Sequence, residues 1–387
     1  ASDLDRGRRR GTFDEACDYI RLVQSLDILH QEGGGPFEPI ELPAETRHLD
    51  LYHAQIRLLD KNWQPIALGG TRARDAINMA RISLGFSEKE FVEKPALFAI
   101  INTNSPLQLD IPMAEGLIEM SSAGQAVCIT PFTLAGAMAP VTLAGTLTQQ
   151  NAEALMGITL TQLVRPGAPV VYGAFTSNVD MRTGAPAFGT PEYAKAAQAS
   201  GQLARRYGLP MRSSNVTSSS VVDAQSTYES AMSLWGAITG HANIIVHAAG
   251  WLEGGLTASF EKLIVDAEML QMMAEYLQPI EVNEDTIALD AISEAGAGGH
   301  FFGVEHTMSR YETAFYQPIL SDQRNFETWE EAGSVDAQAR ANRIWKQLLA
   351  EYEQPPLDPA IDEELEDYVS RRKAAAKRPE QGSESLW

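Results

Sequence analysis

The sequence predicts an α/β fold wound as a closed (β/α)8 barrel, the TIM-barrel class, with a helical C-terminal extension. Two observations predict it. Seven short apolar runs between about residue 25 and residue 303 each end in small or polar residues, and an amphipathic helical pattern follows each. Strands that alternate with helices are joined by crossovers, which makes the sheet parallel. A third observation weighs against the alternative, a doubly wound open sheet. That fold would carry a GxGxxG turn behind an early strand, and no strand end here does; GGGP (33–36) follows the first run without opening a helix.

The predicted strands, in order, are LDILHQ (26–31), QPIALG (64–69), ALFAII (96–101), AVCIT (126–130), APVVYG (168–173), PMRSS (210–214) and NIIVHA (243–248), with an eighth near HFFG (300–303). Between them, TRARDAINMARISLG (71–85) reads as a helix opening on Thr71 and closing on Gly85. TPEYAKAAQASGQLARRYG (190–208) carries Thr190 as N-cap, Pro191 at the first helical position and Gly208 at the end. SFEKLIVDAEMLQMMAEYL (259–277) sets Phe260, Leu263, Ile264, Ala267 and Leu270 on one stripe. The barrel is thus expected over 1–303. Residues 304–387 form the extension: an amphipathic helix at 335–352, a Pro-rich link and a charged segment, read as a solvated packing helix and a frayed end.

Composition narrows the function. The 387 residues are 44% hydrophobic, enough for a large core, and a formal net charge of −21 argues against nucleic acid or an anionic membrane as partner. Two cysteines, Cys17 and Cys128, make neither a disulfide framework nor a CxxC site, so a reducing, cytoplasmic compartment is expected. No apolar run is long enough to span a bilayer, and ASDLDRGRRRGTF lacks the apolar stretch of a secretory signal.

In a barrel the chemistry sits behind the strand C-termini. Those ends carry Asn102–Pro106, Thr130–Phe132, Tyr172–Phe175, Ser213–Asn215 and His247–Trp251, a neutral-polar mouth with four rings: Phe132, Tyr172, Phe175 and Trp251. It shows no His–carboxylate cluster. The seven histidines (30, 48, 53, 241, 247, 300, 306) form no HxH or HExxH, so no tightly bound metal is expected. No GxSxG is present, and Cys128 lies inside a strand. Four rings above an acidic chain suit a quaternary ammonium ligand; the plainer alternative is that they fill the barrel and its loops.

TFDEACDYIRLVQSLD (12–27), VDAQSTYES (222–230), LEGGLTASFEKLIVDAEML (252–270) and GAGGHFFGVEHT (296–307), in that order, resemble the trimethylamine methyltransferase family, over most of the chain through Trp329. The resemblance implies a TIM barrel that takes a methyl group from a methylated amine to the cobalt of a corrinoid (cobalamin) carried by a separate small protein, in the setting of methanogenesis-related chemistry. Family chains carry a further upstream segment, which the resemblance does not find here. Founding members hold pyrrolysine in the loop after the sixth strand. The corresponding loop is NVTSSSVVDAQ (215–225), with Ser219 or Ser220 at that slot. Serine has no imine to trap an amine, so the resemblance implies the branch lacking pyrrolysine, similar to glycine betaine methyltransferases. A quaternary amine is already activated, since its leaving group is neutral, and it needs positioning rather than an acid.

The expected substrate contacts are therefore Phe132, Tyr172, Phe175, Arg212, Asn215, Ser219, Ser220, Asp223, Gln225, His247 and Trp251, with Arg212 and Asn215 offered to a substrate carboxylate. Asp223 is equally readable as the N-cap of the following helix. Gly298, Gly299, His300, Phe301 and His306 are the expected wall for the corrinoid. Expected partners are the corrinoid protein, a small quaternary amine and further copies of the chain. A non-catalytic quaternary-amine-binding protein and a methyltransferase using folate as acceptor are the other readings.

Overall fold

A computed structural model describes residues 1–376. Its strands follow one another around the sheet in chain order. Label the strands β1 (Gln31–Glu32), β2 (Asn62–Trp63), β3 (Phe98–Thr103), β4 (Ala126–Ala135), β5 (Val170–Gly173), β6 (Phe175–Val179), β7 (Pro186–Ala187), β8 (Met211–Ser214) and β9 (Ile244–Val246). Parallel ladders join β3 to β4, β4 to β5, β5 to β8 and β8 to β9. β6 continues the line of β5 along the far half of β4, with Phe132 opposite Phe175, and β7 returns antiparallel on β6. β1 and β2 form a separate parallel pair. The order never reverses, which distinguishes it from a doubly wound sheet.

Three expectations are corrected. The ladder does not close: among the described residues no hydrogen-bonded pairing joins β2 to β3 or β9 to β1. The HFFG segment is a turn, not an eighth strand. The first run leaves only the two-residue strand Gln31–Glu32 at its end, and the second, 64–69, forms no strand, the short pairing strand Asn62–Trp63 lying just before it. What stands is an α/β fold with a parallel sheet and a helical C-terminus.

The helices are α1 (Phe13–Ser25), α2 (Arg47–Leu58), α3 (Gly70–Leu84), α4 (Ile111–Ser122), α5 (Leu143–Val164), α6 (Pro191–Tyr207), α7 (Ala224–Thr239), α8 (Phe260–Tyr276), α9 (Ala337–Ala350) and α10 (Pro359–Ala376). Thr190 caps α6 by accepting from the Tyr193 amide at 3.1 Å, with Pro191 first in the helix. α3 opens two residues earlier than its threonine suggested, with Gly69 as its N-cap. The first half of α8 is buried all round, so its acids are buried with it. Glu261 accepts from Asn342 (2.9 Å) and Trp345 (2.8 Å) of α9, and Glu268 accepts from the backbone of Ile319 and Leu320. Buried carboxylates persist only with such donors.

The C-terminal helices are not a solvated extension. Trp345 of α9 packs on Phe260 of α8, with ring centres 5.0 Å apart. Leu365 and Val369 of α10 sit in the core formed by Ala76, Met79 and Ala80 of α3. The charged residues of α10 have partners too. Asp75 on α3, 1% exposed, accepts from His48 (2.9 Å), Tyr368 (2.7 Å) and Arg372 (2.6 Å). The tail beyond Ala376 lies outside the described residues. No described helix is long and apolar enough to cross a membrane.

Burial alone would raise the Asp75 carboxyl; the hydrogen bonds from His48, Arg372 and Tyr368 outweigh it and hold it below the usual range. A carboxyl whose pKa is lower folded than unfolded contributes stability above its unfolded value, about 3.9, and loses it as pH falls through the folded one. Asp75→Asn should cost about 2 kcal/mol at neutral pH, measured by urea unfolding. It should also flatten the decline of stability below pH 4 relative to the parent chain.

Candidate active site

Arg212 is placed by its strand. β8 is a four-residue strand buried along its whole length, between β5 and β9. At its second position the guanidinium is 1% exposed, and burial pulls its pKa below the ordinary value. Its only hydrogen bond is from Nη1 to the Ala174 carbonyl at 3.3 Å, and buried Nε has no partner. Among the described residues no carboxylate pairs with it. It stands 5.3 Å over the Phe175 ring and faces a cavity of about 250 Å³ shared with Gln64, Asn102, Met113 and His247.

His247 follows β9 in a left-handed backbone conformation, φ 54°. Its Nδ1 is buried without a partner. Desolvation, then the Arg212 charge, lowers its pKa to about 3, so the ring is neutral across the physiological range. It lies 5.7 Å from Phe175 and meets Trp251 edge-on at 5.4 Å. On its other side is a second cavity of about 290 Å³, lined by Trp251, Tyr19, Gln31 and Glu32. Burial pushes the Glu32 carboxyl up, despite amide donation from Gly34 (2.9 Å) and Gly35 (3.0 Å) and a contact from Gln55. A guanidinium thus lies on one side of His247, and an indole ring and a buried carboxyl group lie on the other.

The aromatic residues pack chiefly on each other. Phe175 stacks on Phe188 (5.5 Å, 17°) and on Phe132 (5.0 Å). Phe188, missed in the sequence reading, links them to Tyr193. Tyr172 turns outward instead, giving its hydroxyl to Asn151 (3.0 Å) and packing near Tyr207. It belongs to the helix layer, because it alternates with the inward position on β5.

The serine loop is not open space. Ser219 is buried and donates to the Val221 carbonyl at 3.0 Å; Ser220 is exposed; neither lines the two cavities flanking His247. Asp223 is the N-cap of α7, accepting from the Ser226 amide at 3.0 Å, and Gln225 donates to Glu229 at 2.8 Å. Asn215 donates to the Ala248 carbonyl (2.8 Å), which steadies the turn carrying His247. The segment expected to face a corrinoid lies elsewhere. Gly298, Gly299, His300 and Phe301 are exposed, and His306 lines a separate surface cavity with Asp285 and Arg310. His53, Asp362 and Glu366 come within metal-binding reach of one another, but Arg57 approaches both carboxylates, at 3.4 and 3.8 Å.

The geometry is a wound parallel α/β sheet with a buried arginine that, among the described residues, no carboxylate pairs, set against an aromatic wall. The chain belongs to the trimethylamine methyltransferase family: the family model described as Trimethylamine methyltransferase (MTTB) matches residues 1–377. A glycine betaine methyltransferase of Desulfitobacterium hafniense (strain Y51) is 39% identical over 371 residues, covering 96% of this chain and 77% of that protein. Trimethylamine methyltransferase MttB1 of Methanosarcina mazei is 34% identical over 361 residues, 92% of this chain and 70% of that one.

The His247 assignment is directly measurable. Its imidazole ¹⁵N signals, identified by their loss in His247→Gln, should report a neutral ring at pH 5, where an ordinary histidine of pKa 6.5 is mostly protonated.

Proposed function

We propose that this chain is a methyltransferase whose methyl donor is a quaternary amine bearing a carboxylate, a betaine, and whose acceptor is the Co(I) of a corrinoid held by a partner protein. The observation that carries the reading is Arg212. A buried guanidinium without a carboxylate is costly, and a substrate carboxylate supplies the missing partner. Neutral His247 adds an N–H donor without a second buried charge. Across His247, the Trp251 ring and the Glu32 carboxylate favour a cation, so a zwitterion uses both sides. The names of the two relatives above support methyl transfer from a methylated amine.

The residues here bind and orient; none is required to move a proton. In the transfer the C–N bond breaks, its electron pair stays on nitrogen, and the amine leaves neutral while the methyl carbon bonds to the acceptor. Acid catalysis has no proton to deliver. What the site contributes is alignment and exclusion of water by the Phe132–Phe175–Phe188 stack. The segment Gly298–Phe301 and His306 do not reach these cavities, so acceptor docking is not assigned to them.

Arg212→Met should leave the thermal midpoint unchanged or raised, because an unpaired buried charge is removed. Calorimetry on the same variant should show glycine betaine affinity reduced by about 2–4 kcal/mol. A lowered midpoint with undiminished betaine binding would make the arginine structural and overturn the reading.

The cation side has its own test. 3,3-Dimethylbutyrate is the uncharged-carbon isostere of glycine betaine, with the same shape and carboxylate. The parent chain should prefer betaine, and Trp251→Leu should erode that preference by up to ~2 kcal/mol. Methyl transfer to free cob(I)alamin, with betaine and trimethylamine compared side by side, tests the reaction itself. Turnover of trimethylamine alone would refute the substrate class.

A further inference from the structure

We propose that Glu229 is a positioning residue of this site: its carboxylate clamps the segment Val216–Ser219, and that segment fixes Phe188, the ring stacked behind Phe175 of the Arg212–His247 cavity, and Trp251, which lines the second cavity beside His247. The proposal rests on the reading that this cavity holds the substrate.

Every link of the clamp is a hydrogen bond. Glu229, on α7, is 6% exposed. One carboxylate oxygen accepts from the backbone amides of Ser218 (2.8 Å) and Ser219 (3.0 Å), and the other accepts from the Gln225 side chain (2.8 Å). From the clamped segment the bonds run outward in two directions. Toward β7, the Phe188 amide donates to the Ser218 hydroxyl at 2.7 Å. Toward the loop after β9, the Thr217 hydroxyl donates to the Trp251 carbonyl at 2.8 Å, the Gly254 amide donates to the Thr217 carbonyl at 2.7 Å, and the Glu253 amide donates to the Ser219 carbonyl at 2.9 Å. Phe188 is the ring stacked on Phe175, and Trp251 is the ring set edge-on to His247. One carboxylate therefore sets the back of both walls.

Two further contacts leave the clamp little freedom. Gly189, at φ 68°, crosses α7 so closely that a Cβ there would lie 2.4 Å from the Glu229 Cα. Only glycine fits that approach. Beneath, Lys262 is wholly buried; it donates to Ser230 (2.7 Å) and pairs with Asp266, whose other oxygen accepts from the Gly250 amide at 2.8 Å. The residue after Gly250 is Trp251. The Trp251 loop is thus held at its start by Asp266 and at its middle by the clamped segment. Glu229 lies near enough to Lys262 to offset part of the burial that lowers the lysine's pKa. A hydroxyl-rich loop is what this device needs: short side chains that accept and donate without filling the space between two aromatic walls.

A residue with a merely structural role would lower the melting temperature and change nothing at His247. The discriminating readout is the His247 imidazole titration, which needs no substrate. In Glu229→Gln both amides lose their anionic acceptor, and a carboxamide turned to give them its oxygen sets its own NH2 against the Gln225 donor; the walls loosen, and water reaches the ring. Its pKa should then rise by at least about one unit from near 3, toward the ordinary value. Betaine affinity should fall about tenfold or more by calorimetry, with circular dichroism confirming the fold. Ser218→Ala, which removes only the Phe188 anchor, should move the same signal in the same direction by less. An unshifted His247 titration in folded Glu229→Gln overturns the proposal. If that variant does not fold, an unshifted titration in Ser218→Ala overturns it. A shifted titration in a protein whose parent form binds no betaine would uphold the clamp and refute the betaine reading, so the two failures are distinguishable.

Discussion

Arg212 is a charge that the protein buries and does not pair. Placing an ion in a low-dielectric interior costs several kcal/mol even after relaxation, and proteins ordinarily meet that cost with a counter-ion. Here Arg212 has one long bond to a carbonyl and an aromatic face. The surroundings are arranged around keeping that charge accessible to one small cavity and to nothing else. His247 is kept neutral partly because Arg212 is next to it. Phe175 is held between the guanidinium and Phe188, so the charge rests on a ring that cannot swing away. An unsatisfied buried arginine costs stability, and it is that cost which the proposed substrate carboxylate would relieve.

The parts of this arrangement that follow from local rules were legible in the sequence. Thr190-Pro191 and Gly208 bound α6 because capping and proline geometry are set by adjacent residues. Arg212, Phe175, His247 and Trp251 could be placed at strand ends because period-two strands and a parallel winding fix which end carries the loops. Tyr172 could not be placed the same way. Whether a residue at the end of a strand faces in or out depends on register, and a shift of one position reverses it. It turned toward Asn151 and Tyr207 on α5 and α6. HFFG reads as an eighth strand, but the chain uses it in a turn, since two adjacent phenylalanines without partners do not specify a ladder.

The C-terminal helices show a different limit. A segment reading AIDEELEDYVSRRKAAAKR looks solvated because its charges dominate its composition. In the fold, two of its apolar residues, Leu365 and Val369, enter the α3 core, and Arg372 reaches buried Asp75. Long side chains carry their charge to a distant partner while their helix packs, so composition averages away the pattern that matters. The same holds for α8, where Glu261, Lys262, Asp266 and Glu268 are buried on a helix that reads as amphipathic. Lys262 and Asp266 pair with each other one turn apart, but Glu261, Glu268 and the remaining bonds of Lys262 and Asp266 reach segments far away in sequence, and no window of the sequence displays those partners.

The serine loop joins these two lessons. A dense run of hydroxyl side chains reads as a permissive loop, and permissiveness suggests room for a ligand. The structure uses the same side chains as connectors. Backbone amides of Ser218 and Ser219 meet Glu229, the Ser218 and Thr217 hydroxyls meet Phe188 and Trp251, and Ser219 closes on its own turn. Small polar residues are suited to either task, because a short hydroxyl both leaves space and bonds locally. What decides between them is the presence of a fixed acceptor below the loop. Glu229 lies six residues beyond the Asp223 cap, on the first turns of α7, where a buried carboxylate has no reason to be unless amides from another segment reach it. For the methyl transfer proposed above, in which no proton moves, such connectors matter more than any single reactive group, because alignment of the methyl group with its acceptor would be the chemistry the site supplies.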